Sequence, residues 1–350
     1  MPIARVLVLV LALFSTTLAH ATAQRTFVAS TGVDTNTAFN CSIAKPCRGF
    51  AAAIGVTSAK GELIVLDSAG YGPIPSITKS VTITAPTGIY AGISVLSGDG
   101  ITINASVTDT VVLRGLTING QGGANGITIT TALRVHIENC VIANMGDKGI
   151  YQVAGTLEVK DTIVRDGVWG IFVQAPGQAN LDHVRIEGNA TGVAAWNGGH
   201  IAIQDSVVTG SSNIGVVACR CGASTSMAVA ISRSLISSNL YGIYADGSAN
   251  GSRLTVIISD STIVENGNGI QGTCSGTGNC EFWATRNTIG QNVVGLDLLN
   301  FMYAIIDGNF FARNQSEDIA TDATASVFTR SNNTVGSSNI PGTLLPEPGF

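Results

Sequence analysis

The chain has 350 residues, of which 45% are hydrophobic and only 12% charged, with 42 glycines and a net charge of −5. That composition supports a large core and fits neither disorder nor a helical bundle. With no cluster of Lys or Arg, the basic stripe that nucleic-acid binding requires is missing.

Residues 1–23 read as an export signal. Arg5 supplies the positive region, and Val6 to Phe14 is an apolar run too short to span a bilayer. Ala21-Thr22-Ala23 offers small residues for cleavage before Gln24, with Ala19-His20-Ala21 as a second choice. No later segment reads as a membrane span. The expected location is therefore periplasmic, extracellular or cell-surface. Residues 24–110 read as a cap and the first turns, with one short helix over residues 48–56 closing an otherwise open apolar end.

The stretch 111–314 repeats. An apolar anchor recurs at Ile118, Ile142, Val164, Ile186, Val208, Ile236, Ile263, Ile289 and Phe311, at steps of 22 to 28 residues. A Gly-apolar pair follows each of the first eight anchors, from Gly126-Ile127 and Gly149-Ile150 to Gly295-Leu296. A third apolar column, Ile137, Val159, Leu181, Ile203, Ile231 and Ile258, precedes the second to seventh anchors by five residues. Self-similarity at this period marks a stacked repeat. The segments are short, β-branched and alternating, and none holds ten residues of helical periodicity. Three short strands per unit predict an all-β fold, a right-handed parallel β-helix whose turns stack at roughly 4.8 Å. Residues 315–350 read as a last turn and a tail. The three prolines after Ile340 exclude regular sheet interior.

An export route permits disulfides. Seven cysteines leave at least one unpaired. Cys41 and Cys47 flank a Lys45-Pro46 turn, Cys274 and Cys280 flank a Gly-rich loop, and both pairs are expected to bridge. Cys219 and Cys221 close a small ring or reach another loop. Cys140 falls in a column of small inward residues with Thr162, Ser206, Ser234 and Ser261, the place for a buried thiol. Zinc on Cys219, Cys221, Cys274 and Cys280 is disfavoured, because two turns separate the pairs by roughly 10 Å.

Cys41-Ser-Ile-Ala-Lys-Pro-Cys47-Arg-Gly-Phe-Ala-Ala-Ala-Ile54, followed by Leu66-Asp-Ser-Ala-Gly-Tyr-Gly72 and Ile77-Thr-Lys-Ser-Val-Thr-Ile83, resembles exported bacterial β-helix repeat proteins of the pectate-lyase-like superfamily. That resemblance implies a parallel β-helix and, across the superfamily, polysaccharide lyases, polygalacturonases, alginate epimerases and phage tailspikes. Their motifs do not carry over. The Asn-Thr-Asp, Asp-Asp, His-Gly and Arg-x-Lys of polygalacturonases and the Asp-Pro-His-Asp of alginate epimerases are absent. No acidic cluster matches a calcium site, so calcium is not indicated and no cofactor is implied.

Two outward ladders carry the remaining chemistry, both read from the alternation of side chains along strands. Asn139, Asp161, His183, Asp205, Arg233, Asp260 and Arg286 form the first. An acid/base site would use Asp161, His183 and Asp205, with Arg233 to bind a uronate carboxylate. Because charge alternates over seven turns, cross-strand pairing is the stronger reading. The second ladder follows the Gly-apolar column: Tyr151, Phe172, Ala194, Tyr244, Gln271 and Asp297, and two residues further on Gln174, Trp196 and Asp246. Rings beside amides and carboxylates suit sugar rings, unless a loop or the tail covers them. Asn189, Asn239, Asn266, Asn292 and Asn314 read as a turn ladder. The leading expectation is an exported β-helix that binds polysaccharide or a cell-surface glycan. The alternatives are a polysaccharide lyase, epimerase or glycoside hydrolase, and a structural or adhesive rod.

Overall fold

The computed structural model describes residues 22–222, 225–247, 253–275, 279–336 and 344–346. The segment expected to be an export signal, residues 1–23, lies outside them except for its last two residues, as does most of the segment after Ile340. Among the described residues no helix is long and apolar enough to cross a membrane.

The chain coils through three parallel sheets, here A, B and C, of 14, 12 and 11 strands. A regular turn places one strand in each: Thr191–Trp196 in C, His200–Gln204 in A, Val207–Thr209 in B, then Ile214–Cys219 in C again. The fold is a right-handed parallel β-helix. Its core is the superposition of the three apolar columns. Ile118, Ile142, Val164, Ile186, Val208, Ile236, Ile263, Ile289 and Phe311 pair in unbroken register along sheet B. Ile93 and Val335 extend that column at its two ends. All nine anchors are at most 1% exposed.

The glycine before each sheet C apolar residue is a steric requirement. A Cβ on Gly192 would lie 2.6 Å from the Gly215 carbonyl oxygen and 2.8 Å from Val208 Cγ1. The chain bends into sheet C here, and the next turn leaves no room for a side chain.

Two stacks of polar side chains satisfy the corners. Between sheets B and C, Asn239, Asn266, Asn292 and Asn314 each receive hydrogen bonds from, or donate them to, the turn on either side, at 2.9 to 3.1 Å between successive members. Between sheets A and B, Ser206, Ser234 and Ser261 are followed by Asn287, Asn309 and Asn333, a second asparagine stack that periodicity did not single out. Cys140 heads the same column beside Thr162. Burial pushes its thiol up to about 11, so little thiolate exists at neutral pH. Native protein treated with iodoacetamide at neutral pH should leave Cys140 unmodified, and denatured protein should label there. Labelling of the native state would remove Cys140 from the core.

The helix forms at Phe50–Val56 and buries Phe50, Ala53, Ile54 and Val56 over the first turns. A 3-10 helix, Asp34–Phe39, precedes it and was not expected. Asp34 Oδ1 accepts from the backbone N–H groups of Arg48 and Gly49 at 2.8 Å each, tying the two together. Disulfides join Cys41 to Cys47, Cys274 to Cys280 and Cys219 to Cys221. The first two pairs are buried at the core margin. At the other end, Leu344–Pro346 adds to sheet A beside Ser326–Thr329 as its last strand, an edge that proline tolerates.

Candidate functional site

The charged ladder runs along a corner, which corrects its derivation from strand alternation. Asn139, Asp161, His183, Asp205, Arg233, Asp260 and Arg286 all have φ between 47° and 54°. Each is the single left-handed residue that turns the chain from sheet A into sheet B, and it points out because the corner does. Successive members then meet across turns. Arg233 donates from Nε and Nη2 to the two oxygens of Asp205 at 2.8 and 2.7 Å. Arg286 grips Asp260 in the same way at 2.7 and 2.8 Å. These bonds hold both aspartates below the usual carboxylate range.

His183 shares a 2.7 Å hydrogen bond with Asp182, its chain neighbour on sheet A. Its ring and the carboxylates of Asp182 and Asp205 offer ligand atoms within 4.8 Å of one another. Of the four acid/base candidates, Asp205 and Arg233 thus spend their polar atoms on each other. Exposed pairs of this kind stabilise little and are screened by salt.

The aromatic ladder lies on the outer face of sheet C. Tyr151, Phe172, Ala194, Val217, Tyr244, Gln271 and Asp297 pair in that order across seven turns. Gln174, Trp196, Cys219 and Asp246 form the adjoining column. Phe172, Ala194, Val217 and Cys219 make an outer apolar cluster separate from the core. Phe172 is 8% exposed, so it serves as a floor. The rings around it are half-buried and present their edges and faces: Trp169 at 5.2 Å, Trp196 at 5.6 Å and Tyr151 at 5.8 Å, centroid to centroid. Tyr151 donates its hydroxyl to Gln174 Oε1 at 2.9 Å. Burial, and then Asp246, raise the Tyr244 phenol. Leu344–Pro346 of the tail pair on sheet A, not on this face.

Sequence reasoning missed Trp169 and Lys148. Strict alternation puts residue 169 on the same side as the inward Ile171. The bend at Gly170 turns it out, where its ring meets Trp196 at 6.0 Å. Tyr241 reaches Tyr244 at 5.7 Å by the same bend at Gly242. Lys148 Nζ lies 4.9 and 5.3 Å from the ring centroids of Tyr151 and Phe172 and donates to Asp147 at 2.6 Å. The Cys219–Cys221 bridge borders the platform, with each sulfur 3.8 Å from Asp246 Oδ2. A second apolar stripe on sheet A was also missed. It runs through Ile257 and Trp283, which are 44% and 40% exposed.

The right handed beta helix region family matches residues 36–212. This chain belongs to that family. No curated protein matches the β-helix by sequence. Among solved structures it is similar to the A-module of the mannuronan C-5 epimerase AlgE4 of Azotobacter vinelandii. That match has a TM-score of 0.67 and 16% identity, over 91% of this chain and 98% of that one. XylC in complex with xylose gives 0.63 at 8% identity, over 89% of this chain and 86% of that one. The pectate lyase Pel9A gives 0.52 at 13% identity, over 91% and 80%. At such identities the likeness shows the fold alone, and function has to be argued from the β-helix's own surface.

Proposed function

We propose that this β-helix is exported and binds polysaccharide or a cell-surface glycan along the outer face of sheet C. The observation that carries the reading is the set of half-buried rings, Tyr151, Trp169 and Trp196, seated on Phe172 and flanked by Gln174 and Asp246. Pyranose rings have apolar faces and hydroxyl edges, and such a platform meets both. The rings are held by their neighbours before any ligand arrives, which lowers the ordering cost of binding. The bridges at Cys41–Cys47 and Cys274–Cys280 support an oxidising compartment. We divide the chain into an export segment 1–23, a cap 24–110, regular turns 111–314 and a last turn with tail 315–350.

A second reading, a polysaccharide lyase, epimerase or glycoside hydrolase, draws support from the similar folds of an epimerase and a pectate lyase. It would use the corner at Asp161, His183, Asp205 and Arg233. Binding and new reducing or unsaturated ends, measured on acidic and neutral polysaccharides, separate the two readings. For a glycan binder, Trp196→Ala should weaken binding by about 1 kcal/mol or more, as expected for an aromatic anchor. His183→Ala should then leave binding intact, because it lies on a different face. Turnover abolished by His183→Ala in a folded protein would establish the enzyme. Binding indifferent to both Trp196 and Tyr151 would leave the structural rod.

A further inference from the structure

The charge of the platform points to the class of glycan. Three outward columns build this face, and they carry four ionisable charges among the described residues. Lys148 heads the column that continues through Trp169 and ends at Glu317. Asp297 lies near the end of the column of Tyr151, Phe172 and Tyr244, one turn before Ala320, and Asp246 lies in the third. The single cation is already neutralised, because Lys148 donates to Asp147 at 2.6 Å. Asp246 faces the positive charge of the fully buried Arg220.

Asp297 is different. Its Oδ2 accepts from Gln271 Nε2 at 2.6 Å and Asn268 Nδ2 at 3.3 Å, both neutral amides. Burial, together with the nearby carboxylate of Asp322, raises it above the usual range. A cationic group brought to Asp297 would relieve that cost and gain a charge-assisted hydrogen bond. A uronate carboxylate there would meet Asp297, Glu317 and Asp322 with no basic side chain on the adjoining positions of the three columns.

Resting on the glycan-binding reading above, we infer that the ligand is a glycan bearing protonated amino groups, with Asp297 receiving an amine beyond the aromatic platform. Asp297 stands two turns past Tyr244 and four past Trp196, roughly 10 and 20 Å along the rod, so an oligosaccharide of several sugars spans both. The rings supply contact with the sugar faces, and the acidic end selects the amino sugar.

The test uses three oligosaccharides of equal length, of glucosamine, N-acetylglucosamine and galacturonate. Binding is measured by calorimetry at about pH 6, where amines are protonated and ordinary carboxylates ionised. The glucosamine oligomer should bind about tenfold more tightly than its acetylated counterpart, and the preference should fade as salt screens it. Asp297→Asn should erase the preference while retaining a Trp196-dependent affinity. If Asp297→Asn fails to fold, Glu317→Gln and the wild-type salt titration carry the same test. Equal binding of the acetylated oligomer, tightest binding of galacturonate, or a preference untouched by Asp297→Asn would overturn the inference and leave the platform standing. No binding to any of the three would remove the platform reading and this inference with it.

Discussion

Ile186→Asp is expected to abolish stable folding. Ile186 is fully buried and stacks in register between Val164 on the preceding turn and Val208 on the following one. A carboxylate there loses its hydration and finds no cation in the column. Burying a charge without a partner costs several kcal/mol, a large share of a typical net stability of about 5–15 kcal/mol. Each turn is supported by its two neighbours, so the damage does not stay local. The variant should be recovered in low yield, with a lost or strongly lowered cooperative melt by circular dichroism. A variant that melts like the parent would show that Ile186 does not point inward and would break the register of all three columns.

Asn266→Leu should produce the next largest loss, although it keeps side-chain volume and adds apolar surface. Asn266 Oδ1 accepts from the Asn239 backbone N–H and from Asn239 Nδ2, each at 3.0 Å. Its Nδ2 donates to the carbonyls of Val264 at 2.9 Å and Ile236 at 3.2 Å, and to Asn292 Oδ1 at 3.0 Å. Leucine cannot serve any of these groups, most of which are buried. Each unsatisfied polar group costs about 1–3 kcal/mol, so a loss of roughly 3 kcal/mol or more follows even after the apolar gain. Denaturant titration should show a lower midpoint with an unchanged slope, because the surface exposed on unfolding is the same. Arg233→Ala, which breaks an exposed pair on the neighbouring corner, should barely move that midpoint. If the two variants lost the same stability, the buried stack would carry no more than a surface ion pair.

The corner ladder and the aromatic face show how far local pattern reaches. That Asp205 and Arg233 face outward and fall on neighbouring turns was legible from their spacing. Their left-handed backbone was not, because a corner residue and a strand residue look alike in a one-dimensional pattern. The pairing of His183 with Asp182 follows from that geometry, since the corner swings the ring back over the end of its own strand. Trp169 was missed for a related reason: the bend at Gly170 shifts the alternation within one strand.

What the sequence by itself determined is the solenoid. Its three apolar columns and its asparagine turn ladder repeat along the chain, and every repeat meets the same kind of neighbours in the stack. What only the tertiary structure decided is the environment of the outer faces. There Phe172 becomes a floor, Lys148 is claimed by Asp147, and Asp297 lies among neutral amides. Inward positions share one requirement, to be apolar and to fit, so they leave a periodic signal. Outward positions answer to the particular side chains that adjacent turns and corners bring beside them, and that is settled only when the coil closes.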